Sequence, residues 1–150
     1  MKNKKNNNKG FSLIELLIVV AIILIIAAIA IPNLLRARRS ANEGSATASM
    51  RTLGSGELLY RSTNGNFTSL TGLSGDSIID NVLGSGTKSG YVFAATPGTS
   101  TDLQFTSTGS PSVSTGATQT GARFFFVDET QVVRFNIGAA ATSASGAIGN

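Results

Sequence analysis

Residues 9–39 read KGFSLIELLIVVAIILIIAAIAIPNLLRARR, and this stretch decides the fold of the chain. Within it, segment 11–31 contains 21 residues, all apolar except Ser12 and Glu15. As an α-helix rising about 1.5 Å per residue, this segment would be about 31 Å long, close to the hydrocarbon thickness of a bilayer. We therefore predict a hydrophobic transmembrane helix over residues 11–31.

The residues before this helix have a different composition. Residues 1–10, MKNKKNNNKG, hold four of the 12 Lys and Arg residues, and the remaining eight balance eight Asp and Glu. The net charge of +4 therefore belongs to this segment, which is too polar to bury a core. We predict that residues 1–10 are a cytoplasmic leader peptide, and we predict no nucleic-acid partner, because the rest of the chain has no excess basic charge.

Glu15 is the one charged residue inside the apolar segment. A charged side chain near the bilayer centre costs about 2.5–3.5 kcal/mol on insertion scales, so it favours a partner. Arg36 is 21 residues away, about 31 Å along a helix, and cannot reach it. Cleavage after Gly10 would place the new α-amino group of Phe11 one turn from Glu15, on the same chain or a neighbour. The alternative is a Glu15 that lies near the interface, neutral or snorkelling, without a functional role.

The run KGFSLIELL at residues 9–17, with IPNL at 31–34, resembles the class III signal of type IV pilins and type II secretion pseudopilins. The shared features are Gly10 before the cut, Phe11 after it, Glu15 four residues later and the long apolar run. The resemblance covers residues 5–40 firmly and the remainder loosely. It implies that a prepilin peptidase cuts between Gly10 and Phe11 and methylates the Phe11 amine. It also implies that Glu15 pairs with the Phe11 amine of a neighbouring subunit.

The resemblance further implies where such a protein works. It would cross the inner membrane once before assembly and then form a helical homopolymer with other copies of itself. An inner-membrane assembly platform and its ATPase would extract it from the membrane. After assembly it would lie in a pilus at the cell surface or in a periplasmic pseudopilus.

Pro32 follows the apolar segment directly. Its ring lacks an N–H and clashes with the carbonyl four residues earlier, that of Ala28, so we predict a kink or unwinding just before it. The alternative is that the helix simply ends at the membrane surface. The resemblance implies that Pro32 marks the site where the helix loosens during assembly.

Segment 32–62 is predicted to be an amphipathic second half of the same helix. A narrow apolar stripe at intervals of 4, 3 and 7 consists of Ala46, Met50, Leu53 and Tyr60. Three glycines, Gly44, Gly54 and Gly56, each weaken the helix by about 1 kcal/mol relative to Ala. We therefore expect this half of the helix to be held by packing against another part of the chain.

Segment 63–150 is rich in Gly, Ser and Thr and contains short β-prone runs. We predict strands at 91–96, 102–106, 123–127 and 132–137, with a four-residue hairpin connection between the last two. Residues 107–121 are expected to form a surface loop, and the tail from Gly138 is expected to be frayed. The predicted fold class is α+β: a long N-terminal α-helix, half of it transmembrane, packed on a small antiparallel β-sheet, as in pilins.

Arg36, Arg38 and Arg39 follow the apolar segment, and two interpretations remain open for them. They form either a solvated flank at the membrane exit or a cluster that pairs with acidic residues such as Glu43 or Glu57 of neighbouring subunits.

The composition excludes several classes of chemistry. The chain has neither cysteine nor histidine, which removes thiolate metal sites, disulfides and every catalytic arrangement that needs an imidazole. Four aspartates were considered as a calcium site but lack the alternating spacing of a dedicated loop: Asp76, Asp80, Asp102 and Asp128. We predict no enzyme activity, no catalytic residues, no metal site and no cofactor.

The leading hypothesis is therefore a structural subunit of a type IV pilus-like filament. A type II secretion pseudopilin is the alternative. A remote alternative is a secreted soluble binding domain, since residues 28–30, AIA, would permit conventional signal-peptide cleavage before Ile31. Glu15 within the hydrophobic region is unfavourable for that alternative.

Overall fold

The computed structural model describes residues 10–98 and 104–149. The chain divides into two compact units, Met1–Leu34 and Leu35–Asn150. Helix α1, Leu13–Asn64, is 52 residues long and contributes its first part to the first unit and its remainder to the second. All other helices and strands belong to the second unit.

In the first unit, α1 is apolar on all sides. All sixteen large apolar residues between Phe11 and Leu34 are exposed, with exposed fractions from 43% to 78%. The helix is long and apolar enough to cross a membrane. A helix that is hydrophobic all round needs an apolar environment such as lipid or other helices. The first unit therefore depends on partners outside its own chain.

Pro32 does not interrupt α1. α1 is continuous from Leu13 to Asn64 with Pro32 inside it, so unwinding before the proline and the alternative of a helix end there are both wrong for this structure, whereas a kink stays a prediction. A proline removes one backbone donor, and the turns on both sides of it keep their own bonds. The helix therefore continues at a local cost.

In the second unit, α1 lays the predicted stripe on the sheet. Ala46, Met50 and Leu53 are buried, and Tyr60 packs against the same cluster. Two of the three glycines are positions of close approach: a Cβ built at Gly54 would lie 2.7 Å from Gln131 Oε1, and one at Gly56 would lie 3.1 Å from Ile78 Cγ2. The expectation that packing holds this half of the helix is confirmed.

Within the described residues, two short helices and six strands follow α1. The helices are α2, Leu70–Gly75, and α3, Asn81–Gly84. The strands are β1, Thr87–Lys88; β2, Tyr91–Pro97; β3, Phe105–Pro111; β4, Arg123–Asp128; β5, Arg134–Ile137; and β6, Gly146–Ala147. They form one antiparallel sheet in the order β1-β2-β3-β4-β5-β6, so each strand pairs with its neighbours in sequence. The predicted α+β fold class, a long helix with an antiparallel sheet, is confirmed.

The core lies between the sheet and the second half of α1. Alternate residues of β2, β3 and β4 are buried, including Tyr91, Phe93, Phe105, Phe125 and Val127. Aromatic rings contact one another within this layer, with centroids 4.8 Å apart for Phe67 and Phe105 and 5.6 Å apart for Tyr91 and Phe125. Such tilted pairs add to the stabilisation from burial.

Two predictions about the sheet are wrong. One third of the predicted surface loop 107–121 is strand: β3 runs from Phe105 to Pro111 and pairs with both β2 and β4. Its inward positions include Ser107 and Gly109, so the sequence lacks the alternation of large apolar residues that is typical of a strand. The space at Gly109 is already filled, because a Cβ there would lie 3.1 Å from Phe93 and 3.2 Å from Met50 Sδ. Of the predicted strand 102–106, residues 102 and 103 lie outside the described residues.

The tail after Gly138 is also more ordered than predicted. Ala141 is buried, and β6 pairs with β5 through Arg134 and Phe135. Arg134 Nη1 donates to Ser145 O at 3.2 Å, which fastens this segment to β5. Backbone pairing requires no large side chains, so the Ala/Ser/Gly composition gave little sign of it.

Candidate functional site

The chain around residues 10–16 changes from irregular backbone to helix. Gly10, Phe11 and Ser12 are exposed and precede α1, and Ser12 O accepts hydrogen bonds from the backbone N–H groups of Glu15 and Leu16 at 3.1 and 3.2 Å. Ser12 thereby provides the first intrahelical acceptor. The Gly10–Phe11 bond lies just before the helix, and both of its residues are exposed to solvent.

Gly10 is not required by the fold of the chain. A Cβ built on it would meet no atom within 4 Å, and its φ is not in the left-handed region. Any need for glycine at this position must therefore come from a molecule that binds the segment.

Glu15 lies in the first turn of α1, and its side chain is exposed. A carboxylate is favoured there, because the N-terminal end of a helix carries partial positive charge. Among the described residues the ion pairs are Lys88–Asp80 at 2.8 Å and Arg123–Glu43 at 3.6 Å, and neither includes Glu15. No Lys or Arg stands between Gly10 and Leu35, and Lys9 is the nearest basic residue in the sequence.

The acidic partners suggested for the arginine cluster are already engaged within the chain. Glu43 Oε1 accepts the backbone N–H of Ala122 at 2.8 Å, and its Oε2 lies 3.6 Å from Arg123 Nε. Glu57 is fully buried, and its Oε2 accepts the backbone N–H of Thr68 at 3.0 Å. Glu57 therefore faces inward, and Glu43 is part-buried and engaged within the chain; pairing of Arg36, Arg38 and Arg39 with acidic residues of a neighbour stays a prediction.

The sequence held a signal for this inward orientation. Positions 43, 46, 50, 53, 57 and 60 follow one another at intervals of 3 and 4, so both glutamates continue the apolar stripe of α1. Burial raises the pKa of the Glu57 carboxyl, and the hydrogen bond from Thr68 lowers it in part. Glu57 Oε1 has no hydrogen-bond partner within the described part of the chain.

The aspartates considered for calcium have separate structural roles. Asp80 caps α3 by accepting the N–H of Leu83 at 2.8 Å, and it pairs with Lys88. Asp128 accepts the N–H of Thr130 at 3.0 Å in the β4–β5 turn. Within residues 10–98 and 104–149, no group of three or more Asp and Glu side chains is placed to hold a metal ion; Asp102 lies outside these residues.

Comparison with known proteins centres on the N-terminal segment. The family model described as the prokaryotic N-terminal methylation motif matches residues 5–31. The chain thus carries a prepilin-type N-terminal segment.

Two relatives extend the likeness beyond the prepilin-type segment. The type IV wide pilus major component PilA4 of Thermus thermophilus is 51% identical over 63 residues, covering 42% of this chain and 48% of that protein. The type IV major pilin protein PilA of Myxococcus xanthus is 31% identical over 135 residues, covering 84% of this chain and 57% of that protein. The chain thus spans about half the length of these relatives. The resemblance to type IV pilins, first recognised in residues 9–34, is confirmed.

Proposed function

We propose that the chain is a structural subunit of a type IV pilus-like filament. The observation that carries the proposal is the prepilin-type segment at 5–31, which includes the start of α1, together with the exposure of every large apolar side chain from Phe11 to Leu34. A peptidase cuts between Gly10 and Phe11, and the Phe11 amine is methylated. The subunits then assemble by packing of their N-terminal helices.

Glu15 directs this packing. After removal of residues 1–10, the nearest basic side chain of the same chain is Arg36, and the Phe11 amine freed by cleavage provides a cation on every subunit. Two opposite charges in an apolar environment attract strongly, and a lone charge there is costly. Pairing of Glu15 with the Phe11 amine of a neighbour therefore fixes the axial offset between adjacent helices. Pro32 is the place at which α1 yields locally during assembly, because its turn lacks one hydrogen bond.

The membrane serves as the reservoir for unassembled subunits. Leaving lipid for a helix bundle costs little hydrophobic free energy, since both environments are apolar, so helix packing and the Glu15 pair decide the outcome. The subunit crosses the inner membrane once before assembly and lies in a surface pilus afterwards. Its partners are other copies of the chain, the prepilin peptidase, and the assembly platform with its ATPase; it has no enzymatic role and uses no cofactor.

A pilus is favoured over the type II pseudopilus and over a secreted soluble domain. Both relatives bear names of pilus proteins, and the likeness to the Myxococcus pilin covers 84% of the chain.

The test is an N-terminal peptide map of the protein from membranes and from material sheared off the cell surface. We expect a first peptide that begins at monomethylated Phe11 in both fractions. A chain that begins at Ile31 would make the protein a soluble secreted domain. A chain that retains residues 1–10 in the surface fraction would contradict processing, and absence from that fraction would contradict a surface filament.

A further inference from the structure

In the second unit, a small notch lies between α1, near the arginine cluster, and the loop that contains Thr118–Thr120. The Arg38 notch has a volume of about 150 Å³ and is lined by Leu35, Arg38, Asn42, Thr118, Gln119 and Thr120. Arg38 is exposed, and it is the one charged residue of this lining. A side chain that fits the notch should therefore be short, polar and negatively charged.

The wall opposite Arg38 is held in place by hydrogen bonds. Asn42 Nδ2 donates to Thr120 O at 3.0 Å, which ties the loop to α1. The backbone N–H of Thr120 donates to Val113 O at 2.9 Å, and Gln119 Nε2 donates to Ser114 O at 2.6 Å. The notch is thus formed before any partner binds, which lowers the entropic cost of binding.

Few acidic residues are free to enter such a notch. Of the acidic residues described in the second unit, Glu43, Glu57, Asp80 and Asp128 are engaged within the chain. Asp76 and Glu129 are exposed and form no ion pair within the described ranges. Glu129 lies in the β4–β5 turn, whose shape is fixed by Asp128: its carbonyl accepts the N–H of Gln131 at 3.0 Å, and its carboxylate accepts that of Thr130.

The turn and the notch cannot meet within one chain. The turn lies beside Gly54, since a Cβ there would be 2.7 Å from Gln131 Oε1 and 3.4 Å from Val127 Cγ2. Gly54 is 16 residues after Arg38, which corresponds to about 24 Å along the α1 axis. A parallel second copy displaced by this distance would bring its Glu129 to the level of Arg38. A contact of complementary charge at a fixed axial offset is what a homopolymer of this chain can repeat.

We propose that the Arg38 notch of one subunit receives the Glu129 side chain of a second copy in the filament. This inference rests on the proposed function as a filament subunit. The neighbour concerned differs from the one that pairs at Glu15, because an offset of one helical turn is about 5.4 Å and not 24 Å. The contact gives the arginine cluster a specific acidic partner in place of Glu43 and Glu57.

The first test is crosslinking in assembled filaments. The chain contains no cysteine, so the full-length variant with Arg38→Cys and Glu129→Cys carries the only two thiols. A short bismaleimide, whose spacer replaces the two deleted side chains, is added to filaments sheared from cells. We expect covalent dimers and higher ladders on a denaturing gel. The single variants should remain monomeric.

Two results of this test overturn the inference. One is a doubly substituted variant that assembles into filaments and does not crosslink. The other is an equally strong ladder from Arg38→Cys with Asp76→Cys, which would assign the notch to Asp76. If the unsubstituted chain itself yields no surface filaments beginning at Phe11, the proposed function fails, and that outcome is separate from a failure of the notch contact.

The second test is a charge exchange that does not depend on thiol chemistry. Arg38→Glu or Glu129→Arg alone should lower the recovery of sheared filaments about tenfold, since like charges then face each other. The double exchange should restore recovery, while Arg51→Glu, on the same helix outside the notch, should leave it unchanged. A double variant no better than either single variant would overturn the proposed contact.

Discussion

The two units of this chain differ in the exposure of their apolar side chains. In Met1–Leu34 all sixteen large apolar residues from Phe11 onward are exposed, whereas the second unit buries fourteen apolar residues in one cluster. The same helix, α1, contributes to both. Helical structure alone therefore does not determine whether the apolar side chains of a segment are buried within the chain. The second unit is completed by its own sheet, and the first requires lipid or other subunits.

The largest expected contrast comes from Glu15. Glu15→Ala should leave membrane insertion and the unfolding of the second unit unchanged but abolish filament assembly, because its proposed partner is on another chain. Sheared-filament recovery, membrane fractionation and urea unfolding in detergent micelles would measure the three properties. Ser12→Ala is the matched control within the same exposed segment. A normal filament yield from Glu15→Ala would disprove the pairing mechanism.

Leu53 provides the reverse case within the same helix. Leu53 is fully buried, and its truncation to Ala should lower the free energy of unfolding of the second unit by about 2–5 kcal/mol. Leu24→Ala, at an exposed position of the first unit, should not change this unfolding transition. The near-ultraviolet circular dichroism of buried Tyr91 reports on it in the full chain in micelles. Equal effects of the two variants would show that the units do not unfold separately.

Two glycines of α1, Gly54 and Gly44, should show smaller and opposite effects on the stability of the second unit. Gly54→Leu should destabilise the second unit by about 1–3 kcal/mol, because the side chain would collide with Gln131 and Val127. A Cβ built at Gly44 meets no atom within 4 Å. Gly44→Leu should therefore stabilise the helix by up to about 1 kcal/mol. Urea midpoints of the two variants would test the opposite signs. Stabilisation by both would mean that helix propensity outweighs packing at Gly54.

The smallest effect concerns the pH dependence of the second unit. Because burial raises the pKa of Glu57 above its ordinary value of 4.5, the folded state binds its proton more tightly than the unfolded chain does. The contribution of the protonated group is full below the unfolded pKa and is lost as pH rises through the folded pKa. Stability should therefore fall with rising pH over this range.

Glu57→Gln isolates this effect. The variant keeps an acceptor for the Thr68 N–H and removes the buried charge, so at pH 7 it should be more stable than the parent by on the order of 1 kcal/mol. Below pH 4 the difference should vanish. Glu129→Gln, at an exposed position, is the control that should leave the pH profile unchanged. An identical profile for parent and Glu57→Gln would show that the carboxyl does not titrate differently in the folded state.

Much of the architecture followed from local patterns in the sequence. The run at 11–31 and the stripe at 46–60 define the helix, because apolar content and a period near 3.6 are properties of short windows. Strands β2, β4 and β5 were also predictable from β-branched and aromatic residues. The prepilin-type segment is equally local, since its match rests on residues within the single stretch 5–31.

The positions that could not be predicted depend on what lies opposite them. Strand β3 has Ser107 and Gly109 on its inner face because Phe93 and Met50 fill that space from neighbouring elements. Strand β6 exists because β5 offers an edge with which small residues can pair. Glu43 and Glu57 share the spacing of the apolar stripe, but that spacing does not reveal that their partners are the backbone N–H groups of Ala122 and Thr68.

The sequence by itself determined the long helix, its apolar N-terminal half and the prepilin-type segment, because these depend on neighbours within a few turns. Only the tertiary structure decided which acids are free at the surface and where a notch forms. Burial and pairing depend on residues tens of positions apart, such as Asn42 with Thr120 and Glu43 with Ala122, which the folded chain alone brings together.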